Sequence, residues 1–442
     1  MKIPATPPSF SDISKYIDGK HTEFLSLHQK IPASDKYLHW DDLRYRPVPD
    51  NLSSELYWLA TKMSRSSTKV ELPLIENSKI NRPFHFTRPD ILLSKLRKVD
   101  LKSGGVVTAQ DKASVDIDSQ RYLTRSILEE PFSSSVLEGA ATTRQKAKAM
   151  IDNGDTPRSK DDRMVLNNYR AMAFIKENKS EPLSPDLIRE CHRIITTDTL
   201  EDPDMSGHYR ANDEINVGDD FGNIFHQPPP FKELEGRMDR LCAFANMTEE
   251  QSDRFIHPVI KAITLHFMLA FDHPFIDGNG RTARALFYWS LLNSNYWIME
   301  FVSISAIIKR APIKYGKAFL HTETDEADLT YFLLHQLDVI LTALNELDDY
   351  LEKQKHRHAQ ADRLILDQKL NARQRSLLIE FSRRRLNYTT IHMHEKQESV
   401  SYLTARSDLE RLADNNWLIK DATGRPTKYL PGQKLKEITV KK

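Results

Sequence analysis

The chain has 442 residues, 39% hydrophobic and 28% charged. That is the balance of a soluble globular protein of two or three domains, and it excludes a disordered or membrane-embedded chain. A formal net charge of +1 argues against whole-molecule attraction to nucleic acid and leaves only local patches to consider. Two cysteines, Cys191 and Cys242, cannot build a disulfide scaffold and suit a reducing compartment as small buried side chains. The start, Met1-Lys-Ile-Pro-Ala-Thr-Pro-Pro8, lacks the apolar core of a secretion signal. No window approaches the ~18–20 apolar residues of a membrane helix. A cytoplasmic protein without a membrane partner is expected.

Residues 1–105 read as Pro-punctuated loops with helical patches at 53–63 and 89–99. His39-Trp40 and the aromatic run Pro83-Phe-His-Phe86 read as a satellite core packed on the next domain, with a partner surface as the alternative. Gly104-Gly105 marks a break, after which 109–130 is expected to be helical. Pro131-Phe-Ser-Ser-Ser-Val-Leu-Glu-Gly139 reads on its own only as a helix start with Ser134 as N-cap. Apolar residues recur at helical spacing over 143–176, interrupted by an exposed loop at 153–157. The segment 185–197 is another helix, with proline in its first turn. Then the period changes. Glu214-Ile-Asn-Val217 and Asn223-Ile-Phe-His226 flank a Gly/Asp turn and predict a β-hairpin, too short to be stable alone. Helices follow at 233–244 and 256–271.

The second of these helices leads into His273-Pro-Phe-Ile-Asp-Gly-Asn-Gly-Arg-Thr-Ala-Arg284, a polar loop between two apolar helical runs. Gly278 and Gly280 let backbone N–H groups converge as an anion-binding nest at a helix N-terminus. Arg281 and Arg284 project from one face of that helix. Asp277 offers a hard oxygen suited to Mg²⁺, and His273 a base that titrates near neutral pH. Together these groups suit phosphoryl or nucleotidyl transfer from a nucleoside triphosphate.

The stretch resembles the signature of the Fic-domain family (filamentation induced by cAMP), His-x-Phe-x-(Asp/Glu)-Gly-Asn-Gly-Arg-x-x-Arg, with every fixed position present. The resemblance implies a protein adenylyltransferase that moves AMP from ATP to a Ser, Thr or Tyr hydroxyl of a target protein or of itself. It makes His273 the general base and Asp277 the Mg²⁺ ligand. Asn279 and the Gly278 and Gly280 amides would cradle phosphate oxygens, while Arg281 and Arg284 would hold the β- and γ-phosphates. Phe275 would pack and fix the loop. Ser134-x-x-x-Glu138-Gly139 resembles the family's inhibitory motif, (Ser/Thr)-x-x-x-Glu-(Gly/Asn), which implies a Glu138–Arg284 pair. The hairpin corresponds to the family's flap. Ile215, Val217, Ile224 and Phe225 would pair there with an extended target segment, and Val217 and Gly218 would lie near the nucleotide. The same site run in reverse, with Glu138 aligning a water, would remove AMP. The segment 315–328 resembles the family's adenine-side segment, but Asp325 stands where many members have asparagine.

From 329 to 365 an amphipathic pattern carries Leu333, Leu337, Ile340, Leu344, Leu347 and Leu351, a seam that the core or a second copy of the chain would satisfy equally. The last residues differ in character, with fifteen basic against eight acidic side chains over 371–442. Helices at 372–383, 390–396 and 403–415 precede two strands turned by Asp421-Ala-Thr-Gly424, an order resembling a winged helix. Arg383, Arg384, Arg385, Arg406, Arg411, Lys420, Arg425 and Lys428 are candidates for DNA phosphate contact, although such modules also dock proteins. A DNA-binding regulator is therefore the alternative from another functional class. The expected fold is mainly α: an all-helical Fic core with a β-hairpin flap, plus a C-terminal winged helix-turn-helix module. The expected divisions are an N-terminal region 1–105, the Fic domain 106–350, a linker helix 351–370 and a terminal domain 371–442.

Overall fold

The apolar run before the signature folds as the helix Pro258–Asp272, started by Pro258 in its first turn and by the His257 ring, which accepts from the Val259 N–H. Its side chains are buried almost all round, as are those of the next helix, Asn279–Asn293. A helix apolar on every side must be wrapped by others. Helices Lys160–Glu177, Pro185–Thr196 and Glu129–Leu137 pack on Asn279–Asn293, while Leu234–Asn246 packs on Pro258–Asp272. Ser159 and Ser184 cap two of these, each accepting a hydrogen bond from a first-turn N–H.

The computed structural model describes residues 2–103 and 128–440 apart from 18, 20, 32–35, 49–52, 78, 80, 220–221, 252–253 and 384–385. These residues divide into two units, 2–103 with 128–344 and 345–440, the division falling within the helix Thr330–Leu366. Both units are mainly helical. The strands form three two-stranded antiparallel sheets among the described residues.

In the N-terminal region the helices Ser54–Ser66 and Asp90–Ser103 occur where the periodicity places them. The aromatic run at 83–86 is a strand: Arg82–Phe86 pairs with Val70–Asn77. The alternation Val70, Leu72, Leu74, all buried, drives that pairing. Phe84 meets Phe267 and Phe271 edge-on, ring centroids 5.5 and 5.2 Å apart, and Trp40 joins Phe24, Leu43, Leu56, Trp58 and Leu59 in a separate cluster.

One expectation changes. Ser134 is not an N-cap: the helix Glu129–Leu137 begins five residues earlier, so Ser134 lies in its interior. Asp325, which stands where many family members have asparagine, is buried and paired. It is 1% exposed, with Oδ1 3.0 Å from Lys62 Nζ and Oδ2 accepting from the Tyr331 hydroxyl at 2.8 Å. An unpaired buried carboxylate would be costly, and Lys62 of the N-terminal region supplies the counter-charge. The expected helix over 109–130 falls mostly outside the described residues.

Leu333, Leu337 and Ile340 of the long helix are buried within the single chain. The second unit orders helices Ala372–Ser382, Ile391–Glu398 and Tyr402–Asp414, then strands Leu418–Asp421 and Lys428–Pro431, then a helix Gln433–Val440 that the sequence reading does not anticipate. Leu377, Leu378, Phe381, Leu409, Leu412, Trp417 and Tyr429 form its core. Arg406 and Lys420 both bond Glu410, at 3.0 and 3.4 Å, and Arg383 bonds Asp362 at 2.6 Å. Arg384 and Arg385 lie outside the described residues. Both cysteines are free and buried. No helix among the described residues is long and apolar enough to cross a membrane.

Candidate active site

His273 ends the helix Pro258–Asp272 in the left-handed conformation, φ 45° and ψ 56°, uncommon for a non-glycine residue. Its ring Nδ1 lies 3.3 Å from the Ala270 carbonyl. A carbonyl only accepts, so Nδ1 carries the proton and Nε2 keeps its lone pair. Burial pushes the imidazole down to about 4, with the nearby His226 and Arg210 charges acting in the same direction. The ring is therefore a neutral base at physiological pH.

The chain turns through Gly278, φ 81°, into the helix Asn279–Asn293. Its first N–H groups have no intrahelical acceptor, the arrangement by which a helix start can hold an anion. A Cβ on Gly278 would lie 2.9 Å from Thr196 Cγ2, so no larger residue fits there. Asn279 does not face the nest. Its side-chain oxygen accepts from the Phe275 N–H at 2.9 Å and its amide donates to the Phe275 carbonyl at 2.8 Å, so it staples the loop. Phe275 is fully buried, the packing role expected of it.

The Asp277 side chain is half exposed, with Oδ1 accepting from the Gly278 N–H and lying 3.5 Å from Arg281 Nη2. Among the described residues no three metal-type side chains cluster. A hard cation here would take one protein oxygen and complete its shell with water and phosphate oxygens. That pattern suits Mg²⁺.

Arg281 is 1% exposed, and its Nε has no hydrogen-bond partner. Burial lowers its pKa, an effect the Asp277 and Glu138 carboxylates partly offset. Arg284 is 2% exposed and held along one edge by Ser134 and Glu138. Its Nε donates to Ser134 Oγ at 2.9 Å, and its Nη2 donates to the Ser134 carbonyl at 3.2 Å and to Glu138 Oε1 at 2.8 Å. Burial opposes the charge, and Glu138 leads the groups that nonetheless raise its pKa. Glu138 follows the last turn of the helix Glu129–Leu137, and Gly139 turns the chain away with φ 94°. The carboxylate lies over Gly280, where a Cβ would stand 2.9 Å from Glu138 Cδ. Glycine at 280 thus makes the carboxylate's approach possible.

The structure brings Ser134, Glu138, Asp277, Gly280, Arg281 and Arg284 together around one helix start. The flap is shorter than expected: Val217–Gly218 pairs antiparallel with Ile224–His226, and Ile215 precedes the first strand. A Cβ on Gly218 would lie 2.5 Å from the Asn223 carbonyl. Ile224 is 54% exposed.

Residues 182–291 match the Fic/DOC family. The chain is 27% identical over 183 residues to a protein of Nematostella vectensis named protein adenylyltransferase Fic, a match covering 40% of each. It is 29% identical over 225 residues to the Drosophila yakuba protein of the same name, covering 49% of this chain and 42% of that one. Its fold resembles that of a Fic family protein from Desulfovibrio desulfuricans, with a TM-score of 0.53 and 16% identity over 79% of this chain and 98% of that one. The chain spans under half the length of the curated relatives it matches.

Residues 182–291 are a Fic domain.

Three buried side chains of this Fic domain bear on the loop and escape the sequence reading. His192 lies flat on Phe275, centroids 3.6 Å apart, with Nε2 2.8 Å from the Asp277 carbonyl and Nδ1 accepting from the Gly207 N–H at 3.0 Å. Burial pushes it down to about 4. Arg210 donates from Nε to the His273 carbonyl at 3.0 Å. His226, on the flap, reaches the Phe271 carbonyl at 2.7 Å. All three act on backbone carbonyls. The only sequence signal was an arginine and two histidines in otherwise apolar or turn segments.

Proposed function

We propose that this protein is a protein adenylyltransferase, transferring AMP from ATP to a hydroxyl of a target protein and of itself, and that Glu138 restrains it. What supports the reading most is one juxtaposition: a neutral imidazole with a bare Nε2 at one end of the signature loop, and a helix N-terminus with two buried arginines at the other.

His273 Nε2 takes the proton of the target hydroxyl. The freed oxygen bonds to the α-phosphorus of ATP, the bond from that phosphorus to the α–β bridging oxygen breaks, and pyrophosphate leaves. The Asn279, Gly280 and Arg281 N–H groups sit at the helix start, where they stabilise charge developing on the phosphate oxygens. Arg281 holds the β-phosphate and Arg284 the γ-phosphate. Mg²⁺ at Asp277 would supply neutralising charge to the phosphates. Asn279 and Phe275 keep the loop in shape, and the flap residues Ile215, Val217, Ile224 and Phe225 pair with an extended target segment.

Glu138 already occupies the Arg284 donors that the γ-phosphate needs, so ATP settles out of line for transfer. Ser134 holds the same edge of the guanidinium. Glu138 Oε2 has no hydrogen-bond partner among the described residues, and this supports a second reading in which it aligns a water for removal of AMP. DNA contact by 371–442 has less support, because Arg406 and Lys420 are both engaged by Glu410. The reading is tested by incubating the Glu138→Gly protein with ATP and Mg²⁺ and mapping modified peptides by mass spectrometry. AMP on a Ser, Thr or Tyr hydroxyl is expected, and unmodified protein contradicts it.

A further inference from the structure

The C-terminal end of a buried helix leaves carbonyl groups that something must satisfy. For the helix Pro258–Asp272 the accounting leads to one place. The Leu269 carbonyl accepts from the His273 N–H and the Ala270 carbonyl from the His273 ring. Beyond them, the Phe271 carbonyl accepts from His226 Nε2 at 2.7 Å. The His273 carbonyl accepts from Arg210 Nε at 3.0 Å, and the Pro274 carbonyl from the Arg210 N–H at 2.8 Å. Residues 207–230, which carry the flap, therefore satisfy three carbonyls at and just beyond the helix end.

Both side-chain donors are cations. Arg210 is charged at any physiological pH. The second nitrogen of His226, Nδ1, lies 2.9 Å from Glu323 Oε2, so both ring nitrogens face acceptors, an arrangement that favours the doubly protonated ring. Burial opposes that charge, while Glu323, the Phe271 carbonyl and Asp272 favour it and leave the pKa raised. Two cations at the negative end of a helix dipole are favourably placed.

Arg210 does more than close the helix. Nη1 donates to the Asn212 carbonyl at 2.7 Å and to Asp213 Oδ1 at 2.8 Å, ahead of the first flap strand. Nη2 donates to the Pro229 carbonyl, after the second strand. One guanidinium thus joins the two roots of the hairpin to the backbone of His273. The hairpin's own ladder, two residues against three, is too small to hold its place unaided.

Resting on the adenylyltransferase reading, we infer that Arg210 and His226 are positioning residues that lock the flap to the histidine-bearing helix end. A target segment paired with the flap then presents its hydroxyl to His273 Nε2 at a distance these two cations set. Displacing either moves the target oxygen relative to the base, and such misplacement acts on the rate of transfer rather than on nucleotide binding.

The test uses the full chain in the Glu138→Gly background and compares His226→Leu, His226→Gln and Arg210→Lys, each checked for an unchanged thermal transition. Backbone hydrogen–deuterium exchange over the flap reads the lock without any activity. Self-labelling from α-labelled ATP reads its consequence, and half-saturating ATP reads nucleotide binding. His226→Leu is expected to speed flap exchange and to slow self-labelling about tenfold or more, with half-saturating ATP changed less than about twofold. Glutamine keeps a donor for the Phe271 carbonyl and should recover most of the rate, whereas lysine cannot replace the forked contacts of Arg210 and should not. Flap exchange equal to the parent's in both His226→Leu and Arg210→Lys would overturn the lock. So would a loss of rate that appears entirely as a higher ATP requirement. If the parent does not label at all, the adenylyltransferase reading fails by itself, while the exchange result still decides whether the flap and helix end are coupled.

Discussion

The two ends of the signature are held in opposite ways, His273 at one and Arg284 at the other. Around His273 the partners are backbone carbonyls: its own ring bonds Ala270, Arg210 bonds its carbonyl, and His226 bonds Phe271. Backbone groups within a packed core have nothing to exchange with. Around Arg284 the partners are Ser134 and the carboxylate of Glu138, which is 31% exposed and lies 146 residues earlier in the chain. A phosphate presents the same kind of acceptor as that carboxylate, so this end can exchange one anion for another. Under the proposed function, this contrast would give a fixed base and a phosphate clamp that Glu138 can release.

Removing the fixed end should have the largest effect. In the Glu138→Gly background, His273→Ala is expected to lower self-labelling about 10²–10⁴-fold, the usual contribution of a general base, with ATP affinity by calorimetry little changed. A buried pair remote from the signature provides a control for the Arg284 end. Lys62 and Asp325 are 12% and 2% exposed in their side chains, and Lys62→Ala strands a buried carboxylate. A loss of about 3–5 kcal/mol in chemical denaturation is expected, and ATP should restore no more than its ordinary binding contribution. Glu138→Gly should cost less, about 1–2 kcal/mol, because that carboxylate is partly solvated and Ser134 remains on the guanidinium. Here ATP should stabilise the variant more than the parent, since the phosphate takes the vacated donors.

The smallest effect is in pH. Burial pushes His273, His192, His85 and His335 down to about 4. Between roughly pH 6.5 and 4 the unfolded chain binds protons that these folded rings refuse, so stability falls as pH falls through that window. His226, raised by its partners, contributes in the opposite sense, its share being lost as pH rises through its folded pKa. Unfolding by denaturant at successive pH values should show the net decline on the acid side. The base-dependent limb of self-labelling should lie near pH 4 rather than near 6.5.

The parts legible in the sequence are those written in side chains close together in the chain. Helices Pro185–Thr196 and Pro258–Asp272 follow from apolar period, the first also from its proline start, and eight specified positions within twelve residues mark the signature. Glu138, far away in sequence, was reached only through the resemblance, because a lone serine and glutamate read equally well as a capped helix start. Ser134 illustrates the limit: the helix begins at Glu129, ahead of the proline that suggested a boundary. His192, Arg210 and His226 were invisible for a plainer reason. Their partners are main-chain carbonyls, which no residue type advertises. The Lys62–Asp325 pair was not legible, because Lys62 lies in a region with no signal pointing toward residue 325.

The most direct test of the account is labelling of the wild-type chain, Glu138→Gly and Glu138→Gly/His273→Ala, each with α-labelled and separately with γ-labelled ATP in the presence of Mg²⁺. Label on the protein from α-labelled ATP alone, strong only in Glu138→Gly, is the predicted result. Transfer from γ-labelled ATP, equal labelling of wild type and Glu138→Gly, or undiminished labelling of the double variant would contradict it.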